Sequence, residues 1–247
     1  MSTSLDVIVT RPSPYGEQLC SMLEEQKFIS AHCPLISFAA DDSITPTQRL
    51  KLFSQSQTWI FVSRQAVNFC LDGFSPSQQH TLQALSRDRT IIAVGEATAD
   101  SLQQKQIRSL TPVTPNSEGM IQLLEQKNLK QQPTLLVRGN KGRPLLQQYF
   151  ADHQLSILQV YQRKTTSQTL PPQTKQSAIV VTSGQLMELV AEQFPSNAQR
   201  QACTIISGSA RISEIAQQFG FTNCYTANNA SNSELVKSCI LWRNNVS

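Results

Sequence analysis

Six short segments combine hydroxyls, small residues and guanidinium groups in a pattern suited to holding an anion. They are Arg11-Pro12-Ser13, Ser63-Arg64-Gln65, Gly95-Glu96-Ala97-Thr98, Arg138-Gly139-Asn140-Lys141, Thr182-Ser183-Gly184 and Ser207-Gly208-Ser209. Each follows a short apolar run, and most lead into an amphipathic stretch, the position at which a helix starts. A helix start presents unpaired N–H groups and about half a positive charge, so it receives oxyanions. One exposed contact of this kind is worth about 0.3–1 kcal/mol, and several of them with arginine forks would hold a polyanion. The same Ser and Thr residues also serve as N-caps, and a single such loop says no more than that. Tyr161 stands apart, in a β-like segment between candidate domains. Its phenol would either donate to a leaving hydroxyl as a weak acid or belong to a half-buried aromatic with its OH in water.

Other chemistries lack their residues. No GxxxxGK[ST] occurs and no GxGxxG opens a helix after a strand, so neither a phosphate loop nor a dinucleotide fingerprint is expected. There is no GxSxG elbow, nor a Cys or Ser with a recognisable His partner. Cys20, Cys33, Cys70, Cys203, Cys224 and Cys239 are scattered without a CxxC pair, and His32, His80 and His153 are isolated. Neither a disulfide framework nor a metal site is expected from that spacing. The net charge of +4 is too small and too evenly spread for nucleic acid. The start of the chain has no basic, apolar or small-residue leader pattern, and no run approaches the ~18 apolar residues of a membrane span. A cytoplasmic, metal-free protein is the expectation.

These loops need strands and helices to position them. Apolar runs at Asp6–Thr10, Thr58–Ser63, Thr90–Val94, Thr134–Arg138, Ser177–Ser183 and Cys203–Ser207 lack polar alternation, as strands buried on both faces do. Amphipathic stretches such as Gly16–Gln26, Ala97–Leu102, Leu145–Phe150 and Ala210–Phe219 come between them. Alternation of this kind predicts an α/β fold with parallel sheets, whose ligands sit at the carboxyl ends of the strands.

The chain also repeats itself. VIVTRPSPYGEQLCSMLEEQKF resembles LLVRGNKGRPLLQQYFADHQL from Leu135; WIFVSRQAVNFCL at Trp59 resembles IVVTSGQLMELV at Ile179. IIAVGEATADSLQQKQI at Ile91 resembles TIISGSARISEIAQQFGF at Thr204, and SEGMIQLLEQ at Ser117 resembles SELVKSCILW at Ser233. The order A, B, C, D, A′, B′, C′, D′ fits two tandem domains cut near Gln131. It also fits an interleaved pair, if the segments Pro34–Ala40 and Ile157–Lys164 act as a two-strand connector. The interleaved reading expects residues 1–36 to fold with 167–247, and 38–165 to form the other domain, with connectors near 34–40 and 157–166.

The ordered motifs resemble the uroporphyrinogen-III synthase family. VTRP followed by a Gly, FVSRQAV, AVGEATADSL, Asn116-Ser117-Glu118, LLVRG with Arg143 after it, and VYQR holding Tyr161 fall in that family's order and spacing across nearly the whole chain. The resemblance implies two flavodoxin-like domains, interleaved and joined by a two-stranded β connector, with the site in the cleft between them. It implies a monomeric lyase that uses no cofactor and cyclises hydroxymethylbilane, an octacarboxylate, to uroporphyrinogen III with loss of water. Tyr161 matches the residue that aids departure of the hydroxyl, while Ser63, Thr98, Arg138 and Ser183 match positions near substrate. Arg11, Arg64, Thr182 and Ser209 complete the candidate set from the loops. Two departures stand out: Val62 replaces a Thr before Ser63, and Gly208-Ser209-Ala210 replaces a turn that usually carries two threonines. A two-domain small-anion binding protein without catalysis is the alternative from another class, and a nucleotide-sugar transferase a second rival enzyme.

Overall fold

The computed structural model describes residues 7–151, 154–172 and 177–246. Asp6, the start of the first expected strand, and His153 lie outside the described residues. In chain order the elements begin β1 (Val7–Val9), α1 (Tyr15–Glu25), β2 (Ser30–His32), β3 (Ile36–Ala40), α2 (Pro46–Gln55), β4 (Thr58–Phe61) and α3 (Arg64–Leu71). They continue α4 (Pro76–Ser86), β5 (Thr90–Ala93), α5 (Glu96–Gln104), α6 (Ser117–Gln126), β6 (Thr134–Gly139), α7 (Leu145–Tyr149) and β7 (Leu155–Thr165). Last come β8 (Ala178–Val181), α8 (Gly184–Glu192), α9 (Asn197–Ala202), β9 (Thr204–Ser207), α10 (Ala210–Gln218), β10 (Asn223–Thr226) and α11 (Asn232–Val246).

The chain divides into two units, Met1–Phe38 with Lys164–Ser247 and Ala39–Arg163. In the first, the described strands form one parallel sheet in the order β10-β9-β8-β1-β2. Counted along the chain this is 2-1-3-4-5, the flavodoxin-like winding. β1 lies beside β8, with Ile8 opposite Ile179, and not beside β4. The two copies are therefore interleaved, not in tandem.

In the second unit, β7, β6, β4 and β5 are parallel neighbours. Read from β6 they give 2-1-3-4, and the parallel bridge from Ile92 to Leu110 takes the place of a fifth strand. β3 lies outside β7. The Asp41 N–H donates to the Val160 carbonyl and the Thr166 N–H to the Leu35 carbonyl, each at 3.0 Å, so β3 and β7 run antiparallel. The connector is thus continuous with a sheet, because β7 serves first as a parallel strand beside β6 and then as β3's partner.

All residues of β4, β6, β8 and β9 are buried, in keeping with their unbroken apolar runs. One face of the second sheet packs Ile60, Ile92 and Leu136 on Met120, Leu124 and Phe150. An aromatic cluster of Phe53, Trp59, Phe61 and Phe74 forms a second part of that unit's core, with Phe53 and Trp59 edge to face at 4.8 Å. Edge-to-face pairs add about 0.5–1.5 kcal/mol beyond burial. Cys20, Cys33, Cys70, Cys203 and Cys239 are buried, and all six thiols are free. Burial pushes Cys70 and Cys239 up to about 12 and Cys203 up to about 11, so these thiols stay protonated and inert at neutral pH. Among the described residues no helix is long and apolar enough to cross a membrane. No group of three His, Cys, Asp or Glu residues is placed to hold a metal ion among those residues either.

Two turn carboxylates link the fold to pH. Asp41 at the end of β3 accepts the Ser43 N–H at 3.1 Å, and hydrogen bonds from Ser43 hold its carboxyl below the usual range. Glu17 is lowered too, chiefly by the Ser13 hydroxyl at 2.5 Å. A folded-state value below the unfolded one contributes stability that is present above pH ~4 and lost as pH falls through the folded value. The urea midpoint is therefore expected to drop on acidification below pH ~4, and Asp41→Asn to flatten that drop. An acid slope identical in Asp41→Asn and the parent would remove Asp41 from this account.

Candidate active site

In the second unit the candidate residues gather at the carboxyl ends of the parallel strands. Ser63 follows β4 and caps α3, its Oγ accepting the Ala66 N–H at 3.0 Å. Arg64 is the first residue of that helix and is half-buried. Tyr161 lies two strands away, on β7, yet its Oη is 3.3 Å from Ser63 Oγ. To get there the ring crosses the end of β6 over Gly139. A Cβ built on Gly139 would sit 2.4 Å from Tyr161 Cε2, so a side chain there is excluded by the ring. The pairing register shifts between Arg138 and Gly139, which sets Gly139 opposite Tyr161. Such a bulge re-aims a side chain at a strand end. Phe69 on α3 supports the ring at 5.6 Å between centroids, and Tyr161 is 6% exposed.

Arg138 closes β6 and is 8% exposed. Its Nε donates to the Gly139 carbonyl at 3.1 Å and its Nη1 to Gln147 Oε1. No carboxylate among the described residues pairs with it. A buried guanidinium without a counter-charge is costly, and an arriving oxyanion relieves that cost. Thr98 is buried in the first turn of α5, whose cap, Gly95, provides no side-chain bond. Asn116 caps α6 by accepting the Gly119 N–H at 2.8 Å. Glu118 in the first turn of that helix holds Arg143 through two guanidinium bonds, so two motifs 25 residues apart meet.

The first unit places its candidates at the equivalent strand ends. Arg11 is 7% exposed, donates from Nη1 to Asn232 Oδ1, and lies 5.7 Å from the Tyr15 ring. The Arg11 carbonyl meets His32 Nε2 at 2.8 Å. A Cβ on Gly16 would lie 2.1 Å from that nitrogen and 2.5 Å from that carbonyl, which explains the glycine after the Arg-Pro turn. Ser183 caps α8 by accepting the Leu186 N–H at 3.3 Å, with Thr182 half-buried before it. Ser209 stands at the start of α10 but makes no side-chain cap bond.

Asn232 was not among the sequence candidates. Its signal was available in the repeat, since Asn-Ser-Glu occurs at 116–118 and again at 232–234. The two asparagines do different work: Asn116 caps its helix, whereas Asn232 joins Arg11 to the Tyr15 carbonyl and leaves a capping bond to Ser231.

The family model for uroporphyrinogen-III synthase HemD matches residues 17–237. The chain belongs to this family. Uroporphyrinogen-III synthase of Escherichia coli K12 is 26% identical over 95% of this chain and 99% of its own length. The Proteus mirabilis uroporphyrinogen-III synthase is 30% identical over 58% of this chain and 71% of its own. Among solved structures, a mutant uroporphyrinogen III synthase from the extremely thermophilic bacterium Thermus thermophilus superimposes with a TM-score of 0.66 at 12% identity, covering 98% of this chain and 99% of that one. The Helicobacter pylori 26695 enzyme gives 0.61 at 19% identity, covering 98% and 100%. These structural likenesses bear on the fold, which is the two-unit α/β fold of uroporphyrinogen-III synthases.

Proposed function

We propose that the chain converts hydroxymethylbilane to uroporphyrinogen III, with loss of water and inversion of ring D, as a cytoplasmic monomer that needs no cofactor. Membership of the family carries this reading, and the approach of Tyr161 to Ser63 over Gly139 supports the roles assigned to those residues. Ser63 Oγ receives the Ala66 N–H, so its own hydrogen is available to Tyr161 Oη. With Ser63 as the donor of that contact, the phenol hydrogen is the one assigned to the departing hydroxyl. At 3.3 Å the contact is longer than the usual 2.7–2.8 Å mode of O–H···O bonds, so it orients more than it polarises.

In the reaction the C–O bond of the hydroxymethyl group breaks, and the departing oxygen takes the phenol proton to leave as water. The pyrrole nitrogen supplies the electrons and, keeping its hydrogen, becomes part of a cationic azafulvenium. The substituted carbon of the far pyrrole attacks it, and the resulting spiro intermediate fragments and recombines with that ring inverted. Loss of a ring proton, returned to the phenolate, closes the cycle. The bilane also cyclises unaided to the uninverted isomer, so the protein's main contribution is an enforced geometry. Arg138, Arg11, Arg64 and the hydroxyls of Thr98, Thr182, Ser183 and Ser209 are assigned to the substrate's carboxylates. α5 and α10, whose caps form no side-chain bond, offer first-turn amides as well.

Arg138→Gln is expected to raise KM by about 10–100-fold with kcat little changed, as loss of one charge-assisted contact costs about 1.5–3 kcal/mol. Steady-state kinetics on the folded variant checks this, and an unchanged KM would take Arg138 out of the substrate site. For the function itself, freshly made hydroxymethylbilane should be consumed by the purified chain, without added cofactor, far faster than in buffer. A protein that only bound the anion would leave the spontaneous rate unchanged or slower.

A further inference from the structure

We propose that the second unit carries a separate pocket for a multivalent oxyanion at the amino edge of its sheet, lined by Arg87, Arg89 and Arg108. Residues 86–89 lead from α4 into β5, and residues 105–109 lead from α5 to Leu110, which bridges Ile92. Both segments enter the sheet, whereas Ser63 and Arg138 stand where strands leave it. The pocket therefore lies on the opposite edge of the same unit from the proposed chemistry.

Gln83, Ser86, Arg87, Arg89, Gln106 and Arg108 line a cavity of about 490 Å³. Nearby groups that would neutralise it are engaged elsewhere or do not reach it. Lys105 takes Asp72 as its partner at 2.6 Å. Asp88, between two of the arginines, is exposed and forms no ion pair among the described residues. Arg87, Arg89 and Arg108 likewise have no ion pair among those residues. Three guanidinium groups around one cavity repel one another unless an anion lies among them.

One orphaned polar atom points the same way. Arg89 Nε is buried without a hydrogen-bond partner, although its Nη1 reaches the Asp88 carbonyl at 3.3 Å. Buried donors of this kind are normally satisfied, and each exception calls for an explanation. The arginine fork matches carboxylate and phosphate oxygens in pairs. The volume falls within the range of roughly 300–1,000 Å³ typical of small-molecule sites, so the ligand class is a compact molecule bearing two or more carboxylates or phosphates.

Calorimetric titration of the full chain with pyrophosphate, and separately with citrate, tests the proposal. Saturable one-site binding of at least one anion is expected; pyrophosphate alone indicates a phosphate ligand, citrate alone a carboxylate one. Affinity should fall at least tenfold in Arg89→Gln and in Arg108→Gln and persist in Arg138→Gln. The bound anion should also raise the melting temperature of the parent more than that of either pocket variant. Arg108 is exposed, so Arg108→Gln is expected to fold and to cyclise hydroxymethylbilane at the parent's rate. The pocket is refuted if neither anion binds saturably at low-millimolar concentration. It is equally refuted if the pocket variants bind as tightly as the parent, or if Arg138→Gln is the variant that loses binding.

Discussion

Tyr161→Phe is expected to lower kcat for ring closure by about a hundredfold while leaving KM nearly unchanged. The phenylalanine ring keeps the contact with Phe69 and the path over Gly139, so packing is preserved and only the hydroxyl is lost. General-acid help is typically worth about 10²–10⁴-fold, and the low end applies because this hydroxymethyl group also leaves unaided in water. An interaction made in the transition state alone lowers kcat and kcat/KM together. The product should remain type III, since geometry and not acid strength selects the attacking carbon. Near-normal turnover would make Tyr161 a packing residue. A shift to type I product after subtraction of the spontaneous background would instead make it the determinant of ring orientation.

Gly139→Ala should do more damage than its single methyl group suggests. Gly139 is not among the residues with positive φ, so its requirement is space and not backbone conformation. An added Cβ would meet Tyr161 Cε2 at 2.4 Å and Cζ at 2.5 Å, too close for either group to remain. Overpacking of this kind costs about 1–3 kcal/mol of stability. The ring must swing out or the strand end must move, and either shift withdraws the phenol from Ser63. A kcat loss of about 10²–10³-fold is expected, because the variant loses both the acid and its alignment. Kinetics paired with urea unfolding checks both parts. A variant as active and as stable as the parent would show that the ring can be accommodated elsewhere, and the site description around Gly139 would fail.

The strands that carry the site were legible because they are buried on both faces, so that short β-branched or aliphatic runs such as Ile179–Val181 and Leu135–Val137 stand between turn residues without polar alternation. Interleaving was legible from the repeat only as one of two readings; the pairing of β1 with β8 decides it. Less legible were α2, α4 and α9, which are polar and rich in glutamine, with few residues facing the core. Their signal lay at their starts, where Thr45 with Gln48, Ser75 with Gln78 and Ser196 with Gln199 form capping boxes. β2 and β10 sit at sheet edges and are half-exposed, so their sequences, Ser30–His32 and Asn223–Thr226, lack the apolar run that marks interior strands. Among site residues, the loops after the strands could be named from pattern. The crossing of Tyr161 over Gly139 could not, since it depends on a one-residue register shift that leaves no mark in composition.

Product identity tests the central claim most directly. Hydroxymethylbilane incubated with the purified chain, oxidised, and separated into type I and type III porphyrins should yield type III as the dominant isomer, in an amount that rises with protein. Type I porphyrin alone, at the rate seen in buffer, would contradict the assignment of cyclase activity to this chain.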